Sequence, residues 1–167
     1  AQNTGLGHRS LQLNTTGSQN TAVGRHSLNA NTTADNNTAV GYHALLVNTT
    51  GADNASVGAE ALDANTTGDS NTAFGYRSLS ANTTASDNTA IGYLALEDNV
   101  TGASNTAVGS FALEGNLASS NTAVGYVAMR VNTTGTQNVA VGQNALNSNT
   151  TANNNVAVGY DALLANT

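Results

Sequence analysis

The sequence predicts an all-β protein wound as a parallel β-solenoid, and three observations carry that expectation. First, a glycine behind an apolar residue recurs at Gly7, Gly24, Gly41, Gly58, Gly75, Gly92 and Gly109 in steps of 17, then at Gly125 after 16, and at Gly142 and Gly159. Self-similarity at a fixed short period marks a repeat architecture. Second, the unit, read from Asn as N-T-A-V-G-Y-x-A-L-x-x-N-T-T-G-x-x, resists helix formation. Its apolar positions 4 and 9 lie on no common helical face, and position 5 is a helix-breaking glycine in every copy. Third, the composition is dominated by 26 Asn and 24 Thr, with no Pro, Cys or Trp, which suits stacked turns rather than an ordinary enzyme core.

Ten copies begin at Asn3, Asn20, Asn37, Asn54, Asn71, Asn88, Asn105, Asn121, Asn138 and Asn155, so residues 1–167 form a single array. The seventh copy is one residue short near Leu117–Ala118, and the tenth stops at Thr167. The array starts at positions 16 and 17 and stops at position 13 without capping sequences, so an excerpt of a longer fibre is expected. A lone 17-residue coil buries too little to offset its ordering entropy, and only stacking closes that gap.

Within the unit, positions 2–4 (Thr-Ala-Val) read as a strand with positions 2 and 4 on one face. The expected core is position 4, with Val40, Phe74 and Val124, together with position 9, with Leu45, Leu79 and Met129. A second strand is expected over positions 11–14, with position 13 inward because Val100 and Leu117 replace threonine there. The opposite strip, for example Asn71, Ala73 and Gly75, would then face outward, small enough for another chain's backbone to come close. The alternative is that position 3 faces a tight coil interior and the two faces are exchanged. Positions 1 and 12 are Asn in all ten copies, and stacked amides there (Asn37, Asn48, Asn71, Asn82, Asn121, Asn132) are expected to bond along the axis.

Composition narrows the function classes. The net charge is −6, from 10 acidic residues against 4 arginines, so a phosphate backbone is a poor partner and no nucleic-acid binding is expected. No apolar run is long enough for a membrane-spanning helix. No cofactor, metal or catalytic residue is expected. Ser10, Ser27 and Ser78 fill a small-residue column with no repeated base beside them. His26 and His43 share a column beside His8 but lack a third ligand. Asp35, Asp53, Asp69 and Asp87 lack the spacing of calcium-binding coils.

Three surface features invite sharper readings. Asn14, Asn31, Asn48, Asn65, Asn82, Asn132 and Asn149 are Asn-x-Ser/Thr sequons, candidates for glycosylation against the alternative of bare turn and ladder residues. Threonines at positions 13 and 14 suggest an ice-binding array, although adjacent strand residues point oppositely and only one column would be free. Tyr42, Tyr76, Tyr93, Tyr126 and Tyr160 share position 6, as a stripe for glycans or for packing between chains.

The segments Asn37–Tyr42 and Asn121–Tyr126 read Asn-Thr-Ala-Val-Gly-Tyr. The array resembles the head repeats of YadA-type trimeric autotransporter adhesins and the similar arrays of phage tail-fibre and surface proteins. That resemblance implies a left-handed β-roll, trimeric packing and no catalytic residues. The expected function is a non-enzymatic shaft segment of an extracellular, cell-surface or virion-surface fibre, serving adhesion or assembly and self-associating as a homotrimer or filament. A surface glycan or receptor is a possible further partner. The alternative is a carbohydrate-binding or ice-binding solenoid surface. A binding face should keep one exposed column uniform, whereas a plain shaft varies outside, and on the expected face assignment the outer columns vary.

Overall fold

The computed structural model describes residues 2–166. Each copy contributes one three-residue strand at positions 2–4: β1 Thr4–Leu6, β2 Thr21–Val23, β3 Thr38–Val40, β4 Ala55–Val57, β5 Thr72–Phe74, β6 Thr89–Ile91, β7 Thr106–Val108, β8 Thr122–Val124, β9 Val139–Val141 and β10 Val156–Val158. They form one parallel ten-stranded sheet in sequence order. Equivalent residues sit opposite one another, Thr21 beside Thr38 and Val23 beside Val40. The chain therefore returns to the same place one level along after every copy, which is a β-solenoid. Ten levels at about 4.8 Å each make a rod about 48 Å long.

Axial bonding extends well beyond the strands. In the second coil Gly24 donates back to the Leu6 carbonyl (2.8 Å), His26 to His8 (2.9 Å) and Asn36 to Ser18 (3.1 Å). The same coil donates forward from Leu28 to Ala44 (3.0 Å), from Ala30 to Leu46 (3.1 Å) and from Thr32 to Thr49 (3.1 Å). Backbone polar groups all round the coil are thus satisfied by the levels above and below, so the stack is the folding unit.

The strand faces are exchanged relative to expectation. Ala73, Ala90 and Ala107 at position 3 are fully buried, while Phe74 is 54% and Val124 36% exposed and Val40 is only half-buried. The reason is the narrowness of the coil. Position 3 faces position 8 across the interior, close enough for the Ser56 hydroxyl to donate to the Ala61 carbonyl at 2.7 Å. Only Ala, Ser or Gly fits both sides of such a gap, so the branched residue of each strand turns outward. Leu45, Leu79 and Met129 at position 9 are fully buried and fill what remains of the core.

Nor do the described residues contain a second strand in any coil. Among the described residues, positions 11–14 form turns, and position 13 points outward, with Val100 41% and Leu117 49% exposed. Its neighbour Asn at position 12 takes the interior. Asn65 donates to the Asn48 side-chain oxygen (2.9 Å) and to the Gly68 carbonyl (3.0 Å), and accepts from Asn82 (2.9 Å). Position 1 works differently. Asn54 accepts the Asn71 backbone N–H on its side-chain oxygen (2.9 Å) and donates to the same Gly68 carbonyl (2.8 Å). Two amides thus converge on one carbonyl per coil, which explains why neither Asn column varies. The position-12 ladder is interrupted at Asn82, whose buried side-chain oxygen has no partner. In the short copy Ala118 supplies the converging carbonyl to Asn105 (2.8 Å) and Asn116 (2.6 Å), so the missing residue is position 14, an outer one.

The coil turns on residues of positive φ at positions 7, 9 and 17 as well as on the position-5 glycine. Leu79 has φ 54° and exposed Ser70 has φ 58°. Position 17 already holds Asn at Asn36 and Asn154 with φ near 60°. Asn adopts this region more readily than Ser, so Ser70→Asn should stabilise the fold by about 0.5 kcal/mol. A small rise in melting temperature checks this, and a fall contradicts it.

Candidate interaction face

With the strand faces exchanged, positions 2 and 4 form an outer sheet face along the rod. Position 4 is apolar in every copy: Val in seven, with Leu6, Phe74 and Ile91 in the others. Position 2 is Thr in seven copies, with Ala55, Val139 and Val156 in the rest. Beside it runs position 6, where Tyr42, Tyr76, Tyr93, Tyr126 and Tyr160 are all exposed. Tyr76 and Tyr93 stack with centroids 5.6 Å apart and planes 18° apart, and Phe111 meets Tyr93 and Tyr126 edge-on at 5.3 and 6.1 Å. Tyr42 stacks on His43 at 3.8 Å with the Arg25 guanidinium 5.7 Å from its ring centre. From the fifth to the eighth coil the rings are turned onto one another, which leaves fewer open faces for sugar rings.

The sequon asparagines lie elsewhere. Asn31, Asn48, Asn65, Asn82, Asn132 and Asn149 are fully buried, and Asn14 is half-buried with its amide nitrogen bonded to the Gly17 carbonyl at 2.9 Å. A glycan attaches to that nitrogen, which in Asn31 donates to Asn14 (2.7 Å) and Ala34 (3.1 Å), so the folded coil has no room for one. The glycosylation reading is therefore corrected at these positions. The threonine hydroxyls of position 13 are also engaged, Thr15 donating to the Thr32 carbonyl (2.8 Å) and Thr66 to Thr83 (2.9 Å). Those bonds hold the ladder and leave position 14 as the free threonine column.

Acidic residues of the 16–17 loop split by position. At position 16 the Asp35 carboxylate accepts the Ser18 backbone N–H (2.7 Å) and hydroxyl (3.0 Å), and Asp69 accepts the Ala52 N–H (2.7 Å). At position 17 Asp53 and Asp87 are exposed, with φ 58° and 63°. On the far edge Arg77 bridges Glu97 (2.8 Å) and Glu60 (3.7 Å), and Arg130 pairs with Glu114.

At the amino-terminal end His8, His26 and His43 form a row of rings tilted 42° and 55° to one another, with centres 5.5 and 5.4 Å apart. The His26 Nε2 is shielded and without a hydrogen-bond partner. Loss of solvent, and then the positive neighbours Arg25, His43, Arg9 and His8, hold His26 below the usual imidazole value of 6.5. A histidine depressed in the fold takes up its proton more readily when unfolded, so stability present above pH 6.5 is lost as the pH falls through and below that value. The melting temperature should drop between pH 7.5 and pH 5, and drop less in His26→Asn, which suits the local φ of 59°. Parallel pH profiles for the two proteins would contradict this.

Among the described residues no three His, Cys, Asp or Glu side chains gather as a metal-binding group, and no helix is long and apolar enough to cross a membrane. No protein-family model matches the chain, and neither a curated protein nor a solved structure matches it.

Proposed function

We propose that this chain is a structural shaft segment of a fibre, acting outside the cell or on a virion surface in adhesion or assembly, without catalysis of its own. The observation that carries this reading is the axial ladder. Among the described residues, the coils are tied to their neighbours around the circumference by backbone bonds and, from the second to the ninth, internally by buried amides, an arrangement suited to transmitting length and stiffness. The resemblance to adhesin-head and tail-fibre repeats supports the same setting, with a homotrimer or filament as the assembled form and a left-handed winding. Small-angle scattering and limited proteolysis test the reading. A shaft gives a rod-like particle with length set by coil number and resists cleavage within the coils. A compact particle, or ready cutting at positions 12–15, would contradict it.

A carbohydrate-binding or ice-binding surface is the second reading. The outer face keeps position 4 apolar in every copy, the kind of regularity expected of a binding face, and four coils pair it as Thr-x-Val. Retention on an immobilised glycan, or arrest of ice growth, by the single chain would favour it.

A further inference from the structure

We infer that the outer face of positions 2, 4 and 6 is the surface on which a second copy of this chain docks. The inference rests on the shaft reading and specifies its partner. None of the twenty residues at positions 2 and 4 is charged, although the chain has 14 charged side chains. Arg25 at position 6 is the one charge within the face, and the others stand at positions 7, 10, 11, 16 and 17, so the two strand columns at its centre are bare. Solvent alone gives no reason to keep position 4 apolar in all ten copies, least of all where Phe74 and Ile91 are 54% and 40% exposed.

The partner must offer a matching feature at every coil. A globular protein has no such period, and the face has no cluster of charges with which to grip a polyanion. A second copy has the same axial step by construction and the same uncharged strip to bury. The dimensions also suffice. A strip about 48 Å long and about 10 Å wide, from ten strand spacings and three residues of strand rise, presents about 480 Å² per copy. A pair would bury about 1,000 Å², at the lower bound of the size that a specific interface needs.

The test is mass per unit length from scattering, together with sedimentation, because end-to-end stacking leaves mass per length unchanged whereas lateral docking at least doubles it. The wild-type chain should show at least twice the value of a single coil stack. The triple variant Val57→Arg, Val108→Arg, Val124→Arg should fall to the single-stack value with unchanged β-sheet circular dichroism. Thr67→Arg, Thr101→Arg, Thr134→Arg, at exposed position 14, should stay laterally assembled. If the arginines on the strip impair folding, the shape-conserving set Val57→Thr, Val108→Thr, Val124→Thr decides, with an expected weakening of association of at least tenfold. A wild-type single stack at every concentration, or strip variants assembled like wild type, would overturn the inference. A single stack that is still a rod overturns only this inference, whereas a single chain that is not rod-like overturns the shaft reading.

Discussion

Leu79→Asp should unfold the middle of the rod, with a loss of about 5 kcal/mol or more. Leu79 is fully buried, stacked between Leu62 and Leu96 in the same column. Its removal alone forfeits about 2–5 kcal/mol of burial and packing, and the aspartate adds an uncompensated charge in a core of Ala and Leu. The backbone is not the cause, since Asp accepts the local φ of 54° better than Leu does. Leu79→Asn separates the two contributions, because it keeps the shape of aspartate without the charge. Ser80 is a poor control because it is itself buried, whereas exposed Ser148 at position 11 is a suitable one. Denaturant melts should place Leu79→Asp far below Ser148→Asp; equal midpoints would contradict the position-9 core.

Gly75→Ala should cost about 3–5 kcal/mol, although the change adds one methyl group to a half-exposed residue. Gly75 has φ 139°, a region that only glycine visits readily. A Cβ there would lie 2.3 Å from the Gly92 carbonyl oxygen and 2.7 Å from its carbon, both backbone atoms of the next coil. The clash cannot be relieved by a side-chain rotation. Gly68→Ala is the informative comparison. A Cβ on Gly68 would lie 2.2 Å from the Ala85 carbonyl oxygen, yet its column holds alanine at Ala34, Ala85, Ala118 and Ala152. Coils therefore shift to admit that methyl group, and its cost should be well under half that of Gly75→Ala. Similar melting curves for the two variants would mean that the position-5 backbone is not fixed as described.

Much of this architecture is legible in the sequence, because every copy meets nearly the same surroundings. The step of 17, the fully buried Leu79 and Met129, and the inter-coil amide bonds of Asn48 and Asn132 all follow from columns that hold their residue type. What alternation cannot supply is which strand face points inward, since the Ala and Val columns are equally regular. The informative signal is volume. Position 3 never exceeds Ala or Ser, as an enclosed gap requires, whereas position 4 admits Phe74 with no compensating small residue in its column. Val100 and Leu117 carry the same ambiguity at position 13, where an apolar residue fits an enclosed or an outward site equally well. The left-handed backbone at Leu45 and Leu79 had no local sign, because leucine does not favour it; closing so short a coil imposes it. The outer face follows from the same choice as the core, since exchanging the strand faces exchanges both.

That reversal is open to a direct measurement, because the chain contains no cysteine. Ala73→Cys and Phe74→Cys place a thiol on adjacent residues of β5, one fully buried and one 54% exposed. Each would be made in the Val57→Arg, Val108→Arg, Val124→Arg background, so that a docked copy does not shield the outer face, and treated with a thiol reagent under native conditions. The Phe74→Cys thiol should react at nearly the rate of the unfolded chain, and the Ala73→Cys thiol only on unfolding. Rapid native labelling of Ala73→Cys with protection of Phe74→Cys would put the valine column back in the core and remove the outer face.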